Sequence, residues 1–155
     1  SNRETIMPVL VKREQKEFAL HPEGGPYAAV ISEVREHPGV ETKFGVKDRV
    51  QIVFQTTEQL RDHSDDADDD RPMEISVFCN KNLNDGSRLL ELVSHQVSKE
   101  DLDGEIDLES ELMGTQWLLT VQHTEANGKR YANVASFMKA PIDQGLDVWD
   151  EDLGF

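Results

Sequence analysis

Lys47, Arg49, Gln51 and Gln55 alternate with Val50, Ile52 and Phe54, so an extended chain here turns apolar side chains one way and basic and amide side chains the other. Lys43 and Phe44 lie just ahead of this run. Lys129, Arg130 and Tyr131 sit together further on, and Phe78 stands on the polar parity of another alternating segment. A row of cations attracts a phosphate backbone, and exposed aromatic faces stack bases, each contributing on the order of 1–3 kcal/mol without demanding a sequence. The candidate contacts are thus Lys43, Phe44, Lys47, Arg49, Gln51, Phe78, Lys129, Arg130 and Tyr131, and the chemistry they imply is non-covalent capture of a single polynucleotide strand.

A plainer reading stands beside this one. Charged residues on the outside of a half-buried strand also serve solubility, a bulge would turn Phe78 into the core, and Tyr131 and Trp117 suit packing roles. Catalysis has little support. His21, His37, His63, His95 and His123 are scattered, with no HExxH, CxxC or G-x-S-x-G arrangement. The single cysteine, Cys79, lies in an apolar run with no nucleophile signature around it. The acidic run Asp65 to Asp70 lacks the glycine and the closing glutamate of a calcium loop. No catalytic residue, metal or cofactor is therefore expected.

The elements that must position the candidates follow from periodicity. Tyr27 to Val34 reads as a strand, and Arg35 to Val46, with Pro38-Gly39 and Gly45, as a connection in which Val40 to Phe44 could pair as an extended arm. A second strand starts at Lys47. Thr57 to Arg71 is expected to be a solvated acidic loop, because it has almost nothing apolar to bury and repels itself. Met73, Ile75, Val77 and Cys79 define the inner side of a third strand. Leu89 to Val97 has helical spacing behind the capping oxygens of Asn84, Asp85 and Ser87, and Asp107 to Met113 predicts a second short helix ending at Gly114. Thr115 to Thr124 and Lys129 to Ala140 are two more strands joined by Asn127-Gly128, a strong hairpin signal.

The order β, β, β, α, β, β predicts an all-β domain with one or two short helices: a five-stranded OB-fold-like Greek-key barrel, helix between strands 3 and 4, acidic C-terminal tail. Such barrels bind oligonucleotides across strands 2 and 3 and with the loops after strands 1 and 4. A small open sandwich or an SH3-like barrel fits the same order. The expected division is an N-terminal extension over 1–20, the barrel over 21–142 with the acidic insertion 57–71, and the tail over 143–155.

The chain has 155 residues, about one domain's worth. A net charge of −15 argues against a polyanion ligand until its placement is considered. Residues 1–56 are neutral overall, 57–70 carry −6, 71–142 carry −4 and 143–155 carry −5, so two short segments hold most of the excess. A lone cysteine gives no reason to propose an oxidising compartment, and no apolar run is long enough for a membrane span or signal peptide, so an intracellular, cytoplasmic protein is expected. Ser1-Asn2, without a methionine, reads as a cloning remnant.

The last residues run Asp143-Gln144-Gly145-Leu146-Asp147-Val148-Trp149-Asp150-Glu151-Asp152-Leu153-Gly154-Phe155. This resembles the acidic tip of bacterial and phage single-stranded DNA-binding proteins, with Asp150, Glu151 and Asp152 standing for the acids and Leu153 and Phe155 for the hydrophobic end. Gly154 departs from that family's usual proline. The resemblance implies a tip that docks in basic pockets of replication and repair enzymes. An aromatic anchor with acids around it suits such a pocket, and the same acids can compete with nucleic acid for the domain's own cationic groove.

A second resemblance covers most of Pro22 to Ala140, on Pro22-Glu23-Gly24, Tyr27, Val40-Glu41-Thr42-Lys43-Phe44-Gly45 and Tyr131-Ala132-Asn133-Val134-Ala135. These stretches are similar to small phage and prophage proteins regarded as OB-fold and single-strand-binding-like. That likeness implies single-stranded DNA and recombination or replication proteins as partners, in a bacterial or phage-infected cell. The rival is an acidic interaction module or DNA mimic on a small β-barrel. An exposed strand edge also leaves homo-oligomerisation open.

Overall fold

The structure, a computed structural model, describes residues 20–59 and 71–149. Its elements are β1 (Gly24–Thr42), β2 (Gly45–Gln59), β3 (Pro72–Asn80), α1 (Arg88–Val93), a 3-10 turn (Asp101–Asp103), α2 (Leu108–Leu112), β4 (Gln116–Ala126) and β5 (Lys129–Lys139). The five strands form one antiparallel sheet in the order β3-β2-β1-β4-β5. The all-β class with short helices between β3 and β4 therefore holds. No ladder joins β3 to β5 among the described residues, although the two edge strands come within 8 Å of each other between Cα atoms.

β1 is much longer than its sequence suggests, because a bulge absorbs Pro38-Gly39, the residues that read as a break. Between His37 and Val40 the register slips, so that Pro38 and Gly39 face Asp48 alone. Pro38 has no N–H to contribute. Gly39 takes φ +66°, and its N–H donates to Asp48 Oδ1 at 3.0 Å. The strand continues to Thr42, and the expected connection shrinks to the tight turn Lys43-Phe44. A second bulge, between Ile31 and Glu33, lies where β1 leaves β4. There Gly114 N–H donates to Ile31 O and Ile31 N–H to Thr115 O.

β2 also outruns its expected end, so Thr57 to Gln59 belong to the strand and not to the expected acidic loop; residues 60–70 lie outside the described residues, as do residues 1–19 of the expected extension 1–20. α1 stops at Val93, short of Val97. It is capped by Ser87, whose Oγ accepts from Leu90 N–H at 3.0 Å, and Asp107 caps α2 in the same way. Asn127 and Gly128 take φ +53° and +77°, the doubly left-handed pair that a two-residue hairpin turn requires.

The inner face of the sheet and the two helices share one core. Ile52, Phe54, Leu89, Leu92, Val93, Leu112, Trp117 and Leu119 are fully buried in it. Trp117 is a packing residue: its indole N–H donates to Thr115 Oγ1 at 2.8 Å and its ring meets Phe137 edge-on. Cys79 is buried in the same cluster.

Candidate nucleic-acid interface

Directly opposed residues of an antiparallel pair share a face. Because Val50, Ile52 and Phe54 point into the core, Lys47, Arg49, Gln51, Val53 and Gln55 point outward. The register sets Arg35 and Phe78 on either side of Gln51, and His37 and Asn80 on either side of Arg49. One outer face thus carries Arg35, His37, Lys47, Arg49, Gln51 and Phe78.

Hydrogen bonds fix this face. His37 Nε2 donates to Gln51 Oε1 at 2.9 Å, and Gln51 Nε2 donates to Ser76 Oγ at 2.9 Å, linking three strands. Arg49 Nη2 donates to Phe78 O at 3.1 Å. The Phe78 ring lies outward, 49% exposed, with its centroid 6.0 Å from that of His37. Arg35 Nε is paired with Glu33 at 2.6 Å.

At the end of β1, Phe44 is 79% exposed on the turn, with Lys43 Nζ 5.5 Å from its ring centroid. Thr42 Oγ1 stiffens the turn by donating to Gly45 O at 2.7 Å and accepting from Phe44 N–H at 3.1 Å. Lys43 and Phe44 therefore project from the end of the strand pair that carries Lys47, Arg49, Gln51 and Phe78.

Lys129, Arg130 and Tyr131 are elsewhere. β4 is antiparallel to β1 and pairs Val121 with Gly24, so the β4–β5 turn lies beyond the start of β1, at the other end of the sheet from Phe44. Tyr131 is exposed there, and Arg130 sits 3.6 Å from Glu125. The sequence candidates fall into two groups separated along β1. Arg35 and His37 were not picked out from sequence, because their segment reads as a connection without parity.

Between the two groups runs the segment after β5. Asp143 Oδ1 accepts from Gln116 Nε2 and from Gly145 N–H, both at 2.7 Å, and Gln144 N–H donates to Gln116 Oε1 at 2.6 Å. The Gly145 N–H, aided by Gln116, holds the Asp143 carboxyl below the usual carboxylate range. At the far end Trp149 N–H donates to Gln55 Oε1 at 2.7 Å, and Gln55 Nε2 donates to Trp149 O at 3.0 Å. Gln116 and Gln55 are the two register partners of Val30, so residues 143–149 strap the outer face across β4, β1 and β2. Asp150, Glu151, Asp152, Leu153 and Phe155 lie outside the described residues.

Among the described residues no group of three histidine, cysteine or carboxylate side chains is placed to hold a metal ion, and no helix is long and apolar enough to cross a membrane. Burial pushes the Cys79 thiol up to about 11. No known family model matches this sequence, and no curated protein matches it.

Proposed function

We propose that this protein binds single-stranded DNA without catalysis and largely without sequence preference, in phage-type replication or recombination, and that its acidic tip recruits partner enzymes. The observation that carries the reading is the outer face of β2 and β3, where an outward phenylalanine lies among Arg35, Lys47, Arg49 and a hydrogen-bonded amide row. Cations that track a backbone and an aromatic that stacks a base are the two parts such binding needs. The strand order, the helices between β3 and β4 and the close approach of the two edge strands support an OB-type barrel, whose ligands cross strands 2 and 3. On this reading the net charge of −15 is no obstacle, because most of it is concentrated along the sequence in 57–70 and 143–155 and not in the segments that carry Lys43, Lys47 and Arg49. The protein works in the cytoplasm of a bacterial or phage-infected cell, as the sequence resemblance implies.

Fluorescence anisotropy of a labelled single strand, at low and moderate salt and against duplex competitor, tests this. Saturable binding that salt weakens and duplex does not displace is expected. Absence of binding at low salt would instead favour an acidic interaction module, which the net charge of −15 also suits.

A further inference from the structure

Val30 and Val53 are 2% and 5% exposed, yet neither belongs to the core cluster. Both lie on outward registers: Val30 is paired with Gln55, and Val53 shares the outward parity of β2 with Gln51 and Gln55. Val30 is covered from outside by the strap that is bonded to both its neighbours. Lifting the strap exposes a slot with an apolar floor and, at its edge, the Gln55 carboxamide, itself only 6% exposed. The slot carries no cation at its Gln116–Val30–Gln55 row, which Glu74 extends on β3; along the outward registers of β1 and β2 the nearest basic side chains are Arg35 and Arg49, while Lys139, one row away on β5, lies over the Trp117 ring. Its chemistry therefore suits a flat, polar-edged group and not a phosphate.

We infer that the Gln55 slot is a nucleobase subsite which the free protein fills with Trp149. The inference rests on the single-strand reading and specifies where one base of the strand goes. The Gln55 amide presents one donor and one acceptor side by side, now matched by the acceptor and donor of the Trp149 main chain. Every nucleobase has an adjacent donor and acceptor on its edge, the complement a carboxamide reads. Gln55 lies four residues beyond Gln51 on β2, about 13 Å away at ordinary strand rise. It also lies between the Phe78 group and the Tyr131 group measured along β1, where a strand running from one to the other must pass. The strap is imperfectly held: the Trp149 indole N–H is buried without a partner, which weakens its claim on the slot.

The test uses the full chain and two probes, an oligothymidylate of about 20 nucleotides and an abasic strand of the same length and charge. Trp117 is fully buried and supplies a constant background to the Trp149 emission; a Trp149→Phe variant identifies the signal. Oligothymidylate is expected to shift Trp149 emission to the red and open it to acrylamide, and the abasic strand to do neither. Trp149→Ala, which keeps the main-chain bonds to Gln55 but removes the buried indole and so loosens the strap over an intact slot, is expected to bind oligothymidylate about tenfold tighter. Gln55→Ala, which loosens the strap and removes the reader, is expected to gain nothing. Binding with an unchanged Trp149 signal, release by the abasic strand, or an equal gain in Gln55→Ala overturns the inference and leaves the single-strand reading standing. Failure of both the wild type and Trp149→Ala to bind at low salt overturns both.

Discussion

Phe78 on β3 stands directly opposite Gln51 on β2, and the Gln51 amide is held from both sides by His37 and Ser76. The glutamine is thereby immobilised beside an aromatic ring that has no place in the core. On the proposed single-strand reading, a ring kept half in water next to a fixed polar row serves as a stacking platform, and its removal should separate binding from stability. Phe78→Ala is expected to weaken single-strand binding by about 1–3 kcal/mol. The denaturation midpoint should barely change, since outward substitutions of this kind move stability by about 0.5 kcal/mol or less. Anisotropy titration beside a urea melt checks both; unchanged affinity rules out stacking at this ring.

Lys47 and Arg49 point outward on the same strand and are expected to neutralise phosphates. Each Lys47→Ala or Arg49→Ala change should reduce the slope of log affinity against log salt by about 0.7, the value for one contact to a single strand. Affinity titrations at several salt concentrations give the slope. Arg49→Ala should also lower affinity at high salt, because Arg49 holds the Phe78 carbonyl, whereas Lys47→Ala should act through salt alone.

Local signals were legible in the sequence. The inward alternation of Val50, Ile52 and Phe54, the buried parity of β3 and the Asn127-Gly128 turn all need only neighbours in the chain to take effect. The extent of β1 was not legible, because Pro38-Gly39 is a break unless a partner strand absorbs it, and the acceptor that does so is Asp48 on β2. Losing that stretch of strand hid Arg35 and His37 from the candidate face. The strap was hidden for a related reason: Gln55 and Trp149 are 94 residues apart, and nothing in either local pattern marks one as the other's partner.

The start of the described chain is pinned by a buried histidine. His21 is 3% exposed; its Nδ1 donates to Pro22 O at 3.1 Å, which leaves Nε2 to accept from the Thr56 hydroxyl at 2.6 Å. His123 Nε2 donates to His21 O at 2.7 Å. Burial lowers the His21 pKa from 6.5, so the unfolded chain takes up a proton that the native state resists. Its contribution to stability is complete above about pH 6.5 and declines as pH falls below that value toward the lowered native pKa. Urea midpoints at mildly acidic and neutral pH should therefore fall further on acidification in the wild type than in His21→Gln, which cannot titrate. An equal fall in both proteins would assign the pH dependence to other groups.

Cys79 offers a probe of the core that is independent of ligand. It is 2% exposed among Ile75, Val77 and the α1 leucines, and burial raises its thiol to about 11. The thiolate is the reactive form. At pH 8 only about one thiol in a thousand is ionised, and that one is shielded from reagent. An aromatic disulfide reagent should leave the native protein unmodified and titrate one thiol per chain in denaturant, the number in the sequence. Cys79→Ser puts a hydroxyl where the thiol packs and is expected to cost about 1–3 kcal/mol, with Cys79→Ala milder. Rapid labelling of the native chain at pH 8 would show that the sheet opens at β3 far more readily than a residue packed in this core allows.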